Sequence, residues 1–117
     1  MSARSKGARS ELEAQKELEA QGYIVYKPQK TSRFGSQDIW NKFDLAGIRE
    51  SDIKFVQVKT NTTAGFLKVL KEWNKKYRFS DVSFELWVRI DYTHKAERWK
   101  IYKAKPKELL FRGVERD

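Results

Sequence analysis

The spacing of apolar residues changes several times along the chain, and each change marks an element. Between Ser5 and Gln21 it follows a helical wheel, on which Ala14, Gly7, Leu18, Ala8 and Leu12 share one arc. Glu11 falls inside that arc, and Gln15 and Glu19 intrude on it, so the helix is weakly amphipathic. A carboxylate on an inward side requires a partner or a metal. Gly22 stops the helix as a C′ glycine. Two starts are open: Ser10 with Glu13 fits a capping box, whereas Ala8 and Leu12 fit a longer helix.

Tyr23 to Lys27 is rich in β-formers and runs into Pro28. The stretch from Lys30 to Lys42 has no pattern and reads as a loop. Phe43 to Ile48 predicts a short strand, Arg49 to Asp52 a turn, and Ile53 to Thr60 a third strand. In that third strand a period of two puts Ile53, Phe55, Gln57 and Lys59 on one face and Lys54, Val56 and Val58 on the other. From Ala64 to Phe79 the period lengthens, with Phe66, Val69, Leu70, Trp73 and Tyr77 on one stripe of an amphipathic helix. Ser83 to Tyr92 alternates again, with Phe84, Leu86, Val88, Ile90 and Tyr92 facing one way and Trp87 and Arg89 the other. Trp99 to Lys103 predicts a last strand, and Pro106 fits N1 of a short terminal helix carrying Leu109, Leu110 and Phe111.

The order is α-β-β-β-α-β-β-α. It predicts one α/β domain of mixed α+β character over residues 1–117, with a central mixed sheet flanked by helices. Composition narrows the chemistry. The absence of cysteine excludes a disulfide framework, a thiolate metal site and a cysteine nucleophile. With His94 the single histidine, set in a turn, two-histidine catalysis is excluded as well. No apolar run approaches a membrane span, and Met1 to Ser10 has no secretory h-region, so a soluble, intracellular (cytoplasmic) protein is expected. Twenty-five Lys and Arg against 16 Asp and Glu leave a net charge of +9, which points to a polyanionic partner, nucleic acid first.

One constellation carries chemistry: Glu11 on the first helix, Asp44 at the second strand, and Gln57 and Lys59 on the third. Two carboxylates and an amide oxygen are hard ligands that suit Mg²⁺. A neighbouring lysine offsets charge that builds on a phosphate. Taken alone, the four residues fit equally well a turn aspartate and an exposed strand end.

Lys6-Gly7-Ala8-Arg9-Ser10-Glu11, Gly22-Tyr23-Ile24-Val25, Phe43-Asp44-Leu45-Ala46-Gly47 and Val56-Gln57-Val58-Lys59 together resemble the PD-(D/E)xK nuclease superfamily. Within it they are most similar to the archaeal-type Holliday junction resolvases, which begin with a Lys-Gly-Ala-x-x-Glu helix. The resemblance is strongest from Lys6 to Lys59; beyond that only the element order matches. It implies a restriction-endonuclease-like core and a structure-selective DNA endonuclease that resolves four-way junctions by metal-dependent phosphodiester hydrolysis, leaving paired nicks. It implies a homodimer on branched DNA, with Mg²⁺ as cofactor and Mn²⁺ as its substitute. Glu11, Asp44, Gln57 and the main-chain carbonyl of Val58 would surround the metal, and Lys59 would sit beside the attacking water and the scissile phosphate. Lys27 matches a basic residue after the first strand, and Ser36 or Ser32 occupies the loop where relatives keep a serine near the phosphate.

Two departures stand out. Gln57 replaces the usual glutamate and brings no negative charge, and Leu12 replaces a basic residue after the helix glutamate. Lys6, Arg9, Lys27, Lys30 and Arg33 flank the site and are expected to contact DNA phosphates; otherwise they form a solvated face. Phe34 and Trp40 share the loop with these bases, and packing at the domain edge is favoured over stacking on DNA. The basic face of Lys68, Lys71, Lys75, Lys76 and Arg78 reads as solvated, with Trp73 and Tyr77 in the core beneath it. Three other functions compete. One is a general or restriction-type endonuclease of the same fold. Another is a non-catalytic DNA-binding module in which Gln57 marks lost catalysis. An RNA-binding domain, the third, leaves Glu11, Asp44 and Lys59 unexplained.

Overall fold

A computed structural model describes residues 3–28, 38–63, 65–90, 99–105 and 108–114. The elements run α1 (Ala3–Ala20), β1 (Ile24–Tyr26), β2 (Leu45–Arg49), β3 (Asp52–Thr60), α2 (Phe66–Lys76), β4 (Val82–Arg89), β5 (Trp99–Lys105) and β6 (Glu108–Val114). The strands form one mixed sheet in chain order. Every neighbouring pair is antiparallel except β3 and β4, whose parallel pairing (Phe55 opposite Phe84, Lys59 opposite Val88) is made by the α2 crossover.

The two helices lie on opposite faces. Ala14 and Leu18 of α1 pack with Leu45, Val56, Val58, Trp87 and Trp99. Phe66 and Leu70 of α2 pack with Phe43, Phe84, Leu86, Val88 and Ile90. The alternation predicted for β3 and β4 thus becomes two cores, one on each side of the sheet. Trp87, on the second face of β4, is fully buried with its ring 5.5 Å from that of Trp99. The second core is aromatic: Phe43 contacts Phe55, Phe66, Trp73 and Phe84 at centroid distances between 5.3 and 6.1 Å. Trp40 joins its edge, 4.9 Å from Phe55 and 5.5 Å from Trp73, as expected of an aromatic packed at the domain margin.

Several expectations need correction. The terminal helix does not form: Glu108–Val114 pairs antiparallel with β5 from Lys105–Glu108 to Trp99–Val114, as β6. Pro106, expected at N1 of that helix, lies outside the described residues. The physical reason is the edge that β5 would otherwise expose, which a β-competent Leu-Leu-Phe run satisfies. Ser10 is not a cap; α1 begins at Ala3, and the Ser10 hydroxyl hydrogen-bonds that of Thr60 at 2.7 Å. The inward stripe of α1 is Ser10, Ala14 and Leu18, spaced by four, while Ala8 is exposed and Leu12 is 45 % exposed. A helix crossing a sheet buries a narrow stripe, so the wider predicted arc overshoots. Tyr77 lies past the last turn of α2 and is exposed at the rim, although its ring contacts Trp73. Gly22 adopts φ +95, the left-handed conformation required of a C′ residue. Phe43 precedes β2 and bridges Ile39 across a tight turn in which Trp40 and Asn41 have positive φ. Among the described residues no helix is long and apolar enough to cross a membrane.

Candidate active site

One end of the sheet gathers the chemistry-bearing residues. There β2 begins and β1 and β3 end, because β3 runs antiparallel to β2, which runs antiparallel to β1. Asp44 immediately precedes β2. Its main-chain N–H donates to the Val56 carbonyl at 2.9 Å, and its carboxylate accepts the Val58 N–H at 2.9 Å. The side chain thus takes over the ladder where the β2 backbone leaves it, which fixes the carboxylate against β3. Asp44 is only 3 % exposed. A buried carboxylate held by a backbone N–H is a pre-organised anionic group.

Opposite this turn, Gln57 and Lys59 project from the same face of β3, as their spacing predicts. Gln57 is buried. With its amide nitrogen toward the Lys42 carbonyl, to which it donates, its oxygen accepts from the Lys59 ammonium at 3.3 Å. The Gln57 carbonyl oxygen and the Lys59 charge are therefore adjacent, on the two residues that flank Val58, the anchor of Asp44.

The N-terminal half of α1 covers this end from the other face. Ser10 binds Thr60, the last residue of β3, and Glu13 forms an ion pair with Arg89, the last residue of β4. The Arg89 guanidinium also donates to the Ile90 carbonyl at 2.9 Å and lies 5.9 Å from the Trp99 ring. Glu11, one residue beyond Ser10, has a largely buried side chain 4.0 Å from the Lys27 ammonium, just past β1. The inward carboxylate seen on the wheel thus has a cationic partner.

The structure brings Asp44, Gln57, Val58 and Lys59 together on two adjacent strands, and sets Glu11 and Lys27 as a pair where α1 meets the end of β1. Arg9 is exposed on α1. Lys6 lies in the first turns of α1, but its side chain is outside the described set, as are Lys30, Arg33, Ser36, Ser32, Phe34 and His94. Sequence reasoning missed the two contacts that seat α1 here, Ser10–Thr60 and Glu13–Arg89. Separated by 50 and 76 residues, these partners carry no local signal.

Oxygen donors dominate the site, the set preferred by Mg²⁺ and Mn²⁺ over softer metals. Among the described residues no group of three His, Cys, Asp or Glu side chains is placed to hold a metal. The donors are instead carboxylate, amide and main-chain carbonyl. Mg²⁺ commonly binds through one or two carboxylates together with water and substrate phosphate, so this set fits an ion recruited with a phosphodiester. Comparison with known proteins adds nothing to the geometry: no family model and no curated protein matches the chain.

Proposed function

We propose that this protein is a divalent-metal-dependent DNA endonuclease that resolves four-way junctions. The observation that carries the proposal is the Asp44 carboxylate, anchored on the Val58 N–H beside the Gln57–Lys59 pair. It is supported by the antiparallel β1-β2-β3 sheet followed by the α2 crossover to a parallel β4, the arrangement expected of a restriction-endonuclease-like core. The resemblance of the Lys6–Glu11, Phe43–Gly47 and Val56–Lys59 segments to archaeal-type junction resolvases selects branched DNA as the substrate. The net charge of +9 favours such a polyanion.

Asp44, Gln57 and the Val58 carbonyl would hold the metal; Glu11, which the resemblance adds to that shell, is paired with Lys27 where α1 meets the end of β1. When bound, the metal supplies Lewis acidity at a phosphoryl oxygen and a water of lowered pKa. The chain's own groups do the rest. The Val58 N–H fixes the direction of the Asp44 carboxylate, so no reorganisation is needed when substrate arrives. Lys59 brings a compact cation to the scissile phosphate and offsets the charge that builds in the transition state. Gln57 positions the Lys59 ammonium without neutralising it, because an amide oxygen accepts but carries no charge. Arg9 and Lys27 lie on the segments bordering the site and serve as phosphate contacts, joined by Lys6, Lys30, Arg33 and Ser36. A two-fold homodimer places one such site on each of two strands, which accounts for paired nicks.

The test is competition between a labelled four-way junction and linear duplex of the same sequence, with Mg²⁺, with Mn²⁺ and with EDTA. Paired nicks confined to the junction and lost in EDTA support the proposal. Equal cutting of both substrates leaves a general endonuclease, and tight junction binding without cleavage leaves a binding module.

A further inference from the structure

The opposite end of the sheet holds a cavity of about 540 Å³, bounded by the starts of β3 and β4, the end of β5 and the segment joining α2 to β4. It is five residues of β3 away from Lys59, counted at Lys54, or roughly 17 Å along an extended strand. A volume of that size suits a small organic ligand. Its floor is electrostatically unusual. Glu85 is fully buried and accepts hydrogen bonds from the Trp87 indole and the Ser83 hydroxyl, each at 2.9 Å. Two ammonium groups, Lys54 at 3.6 Å and Lys103 at 3.5 Å, share that one carboxylate. Arg49 is neutralised by Asp52, and Arg78, also in the lining, donates to the Lys75 carbonyl. Four cations and two carboxylates therefore line the cavity, which leaves two positive charges over.

Burial and the nearby Lys103 charge hold the Lys54 ammonium below its ordinary pKa, against the opposing pull of Glu85 and Asp52. A further anion would relieve that strain. At the rim Phe79 is 63 % exposed, with no ring contact among the described residues, so it offers an open aromatic face. An apolar ring at the mouth of a cavity lined by ammonium groups is complementary to a planar base carrying a phosphate.

We propose that this cavity binds a phosphorylated nucleoside, with the phosphate between Lys54 and Lys103 and the base on Phe79. None of these residues belongs to the Asp44 end, so the proposal stands apart from the nuclease assignment. Free nucleotide and the 5′-phosphorylated end of a strand share this chemistry.

The full chain is titrated calorimetrically with adenosine 5′-monophosphate, adenosine, inorganic phosphate, and a short oligonucleotide with and without a 5′-phosphate. The monophosphate is expected to bind, with adenosine and phosphate each at least about tenfold weaker. Phe79→Ala, at an exposed site, is expected to weaken binding roughly tenfold, the size of one base–aromatic stack, with no change in melting temperature. Lys103→Met should weaken the monophosphate by a similar factor and leave adenosine unaffected. Tighter binding of the 5′-phosphorylated strand than of the mononucleotide assigns the ligand to strand ends; the reverse order assigns it to free nucleotide. Absence of binding at millimolar monophosphate, or binding indifferent to both substitutions, overturns the proposal.

Discussion

Gln57 is the residue on which the proposed chemistry turns. It stands where a glutamate would add a negative charge, and it faces Lys59. Gln57→Glu is expected to lower the metal concentration for half-maximal cleavage by about tenfold, since a full charge replaces an amide dipole among hard ligands. A metal titration of cleavage rate checks this, and an unchanged midpoint removes Gln57 from the metal shell. At the other end of the sheet, Asp52 accepts from Tyr23 and Arg49. Burial pushes the Asp52 carboxyl up. The hydrogen bonds from Tyr23 and Arg49, with the Arg49 and Lys54 charges, outweigh that and leave its pKa below the usual value. Its folded-state pKa thus lies under an unfolded value of about 3.9, so its stabilisation is present above that pH and is lost as the pH falls through the folded value. Tyr23→Phe removes one donor and is expected to shrink this acid-dependent contribution, read as a smaller drop in melting temperature between neutral and acid pH. The shared face of Gln57 and Lys59 was legible from the period of two, whereas Asp44 stood out only through the family resemblance. The Asp44 anchor on Val58 was not legible, because a side chain replacing a ladder carbonyl has no signature in the pattern.

At the scale of elements, the strongly periodic segments were the legible ones. The α2 stripe and the alternation of β3 and β4 follow from burial against a neighbour, and burial is what periodicity records. The register of β6 is set by an edge that exists only once β5 is placed, so Leu109, Leu110 and Phe111 suited a helix and a strand alike. Packing at Phe43 ties the second core together. Phe43→Ala is expected to cost about 3–5 kcal/mol in urea unfolding, because the ring is fully buried among four aromatic neighbours. Gly47 permits a close approach between β2 and the turn after α1. A Cβ there would meet the Tyr23 side chain at 3.1 to 3.2 Å, so Gly47→Ala is expected to lower the melting temperature by displacing Tyr23. A melting temperature equal to wild type would show that the ring gives way at no cost.

For the molecule as a whole, charge and topology act together. The crossover through α2 makes β3 and β4 parallel, and that places the ends of both under the N-terminal half of α1. On the proposed function, the surplus of positive charge governs the affinity for DNA. Junction binding is expected to weaken by roughly three to five orders of magnitude between 50 and 200 mM salt if six to ten phosphates are contacted, with a linear log–log dependence. Fluorescence titration at several salt concentrations checks this, and a flat dependence would mean that phosphates are not the main contact. Single-turnover cleavage of a labelled junction, with binding measured in parallel for the wild type, Asp44→Asn and Lys59→Ala, decides whether the Asp44 end of the sheet carries the proposed cleavage. Both variants are expected to retain junction binding and lose cleavage by roughly a hundredfold or more. Cleavage at the wild-type rate in Asp44→Asn would contradict this and move the chemistry away from this end of the sheet.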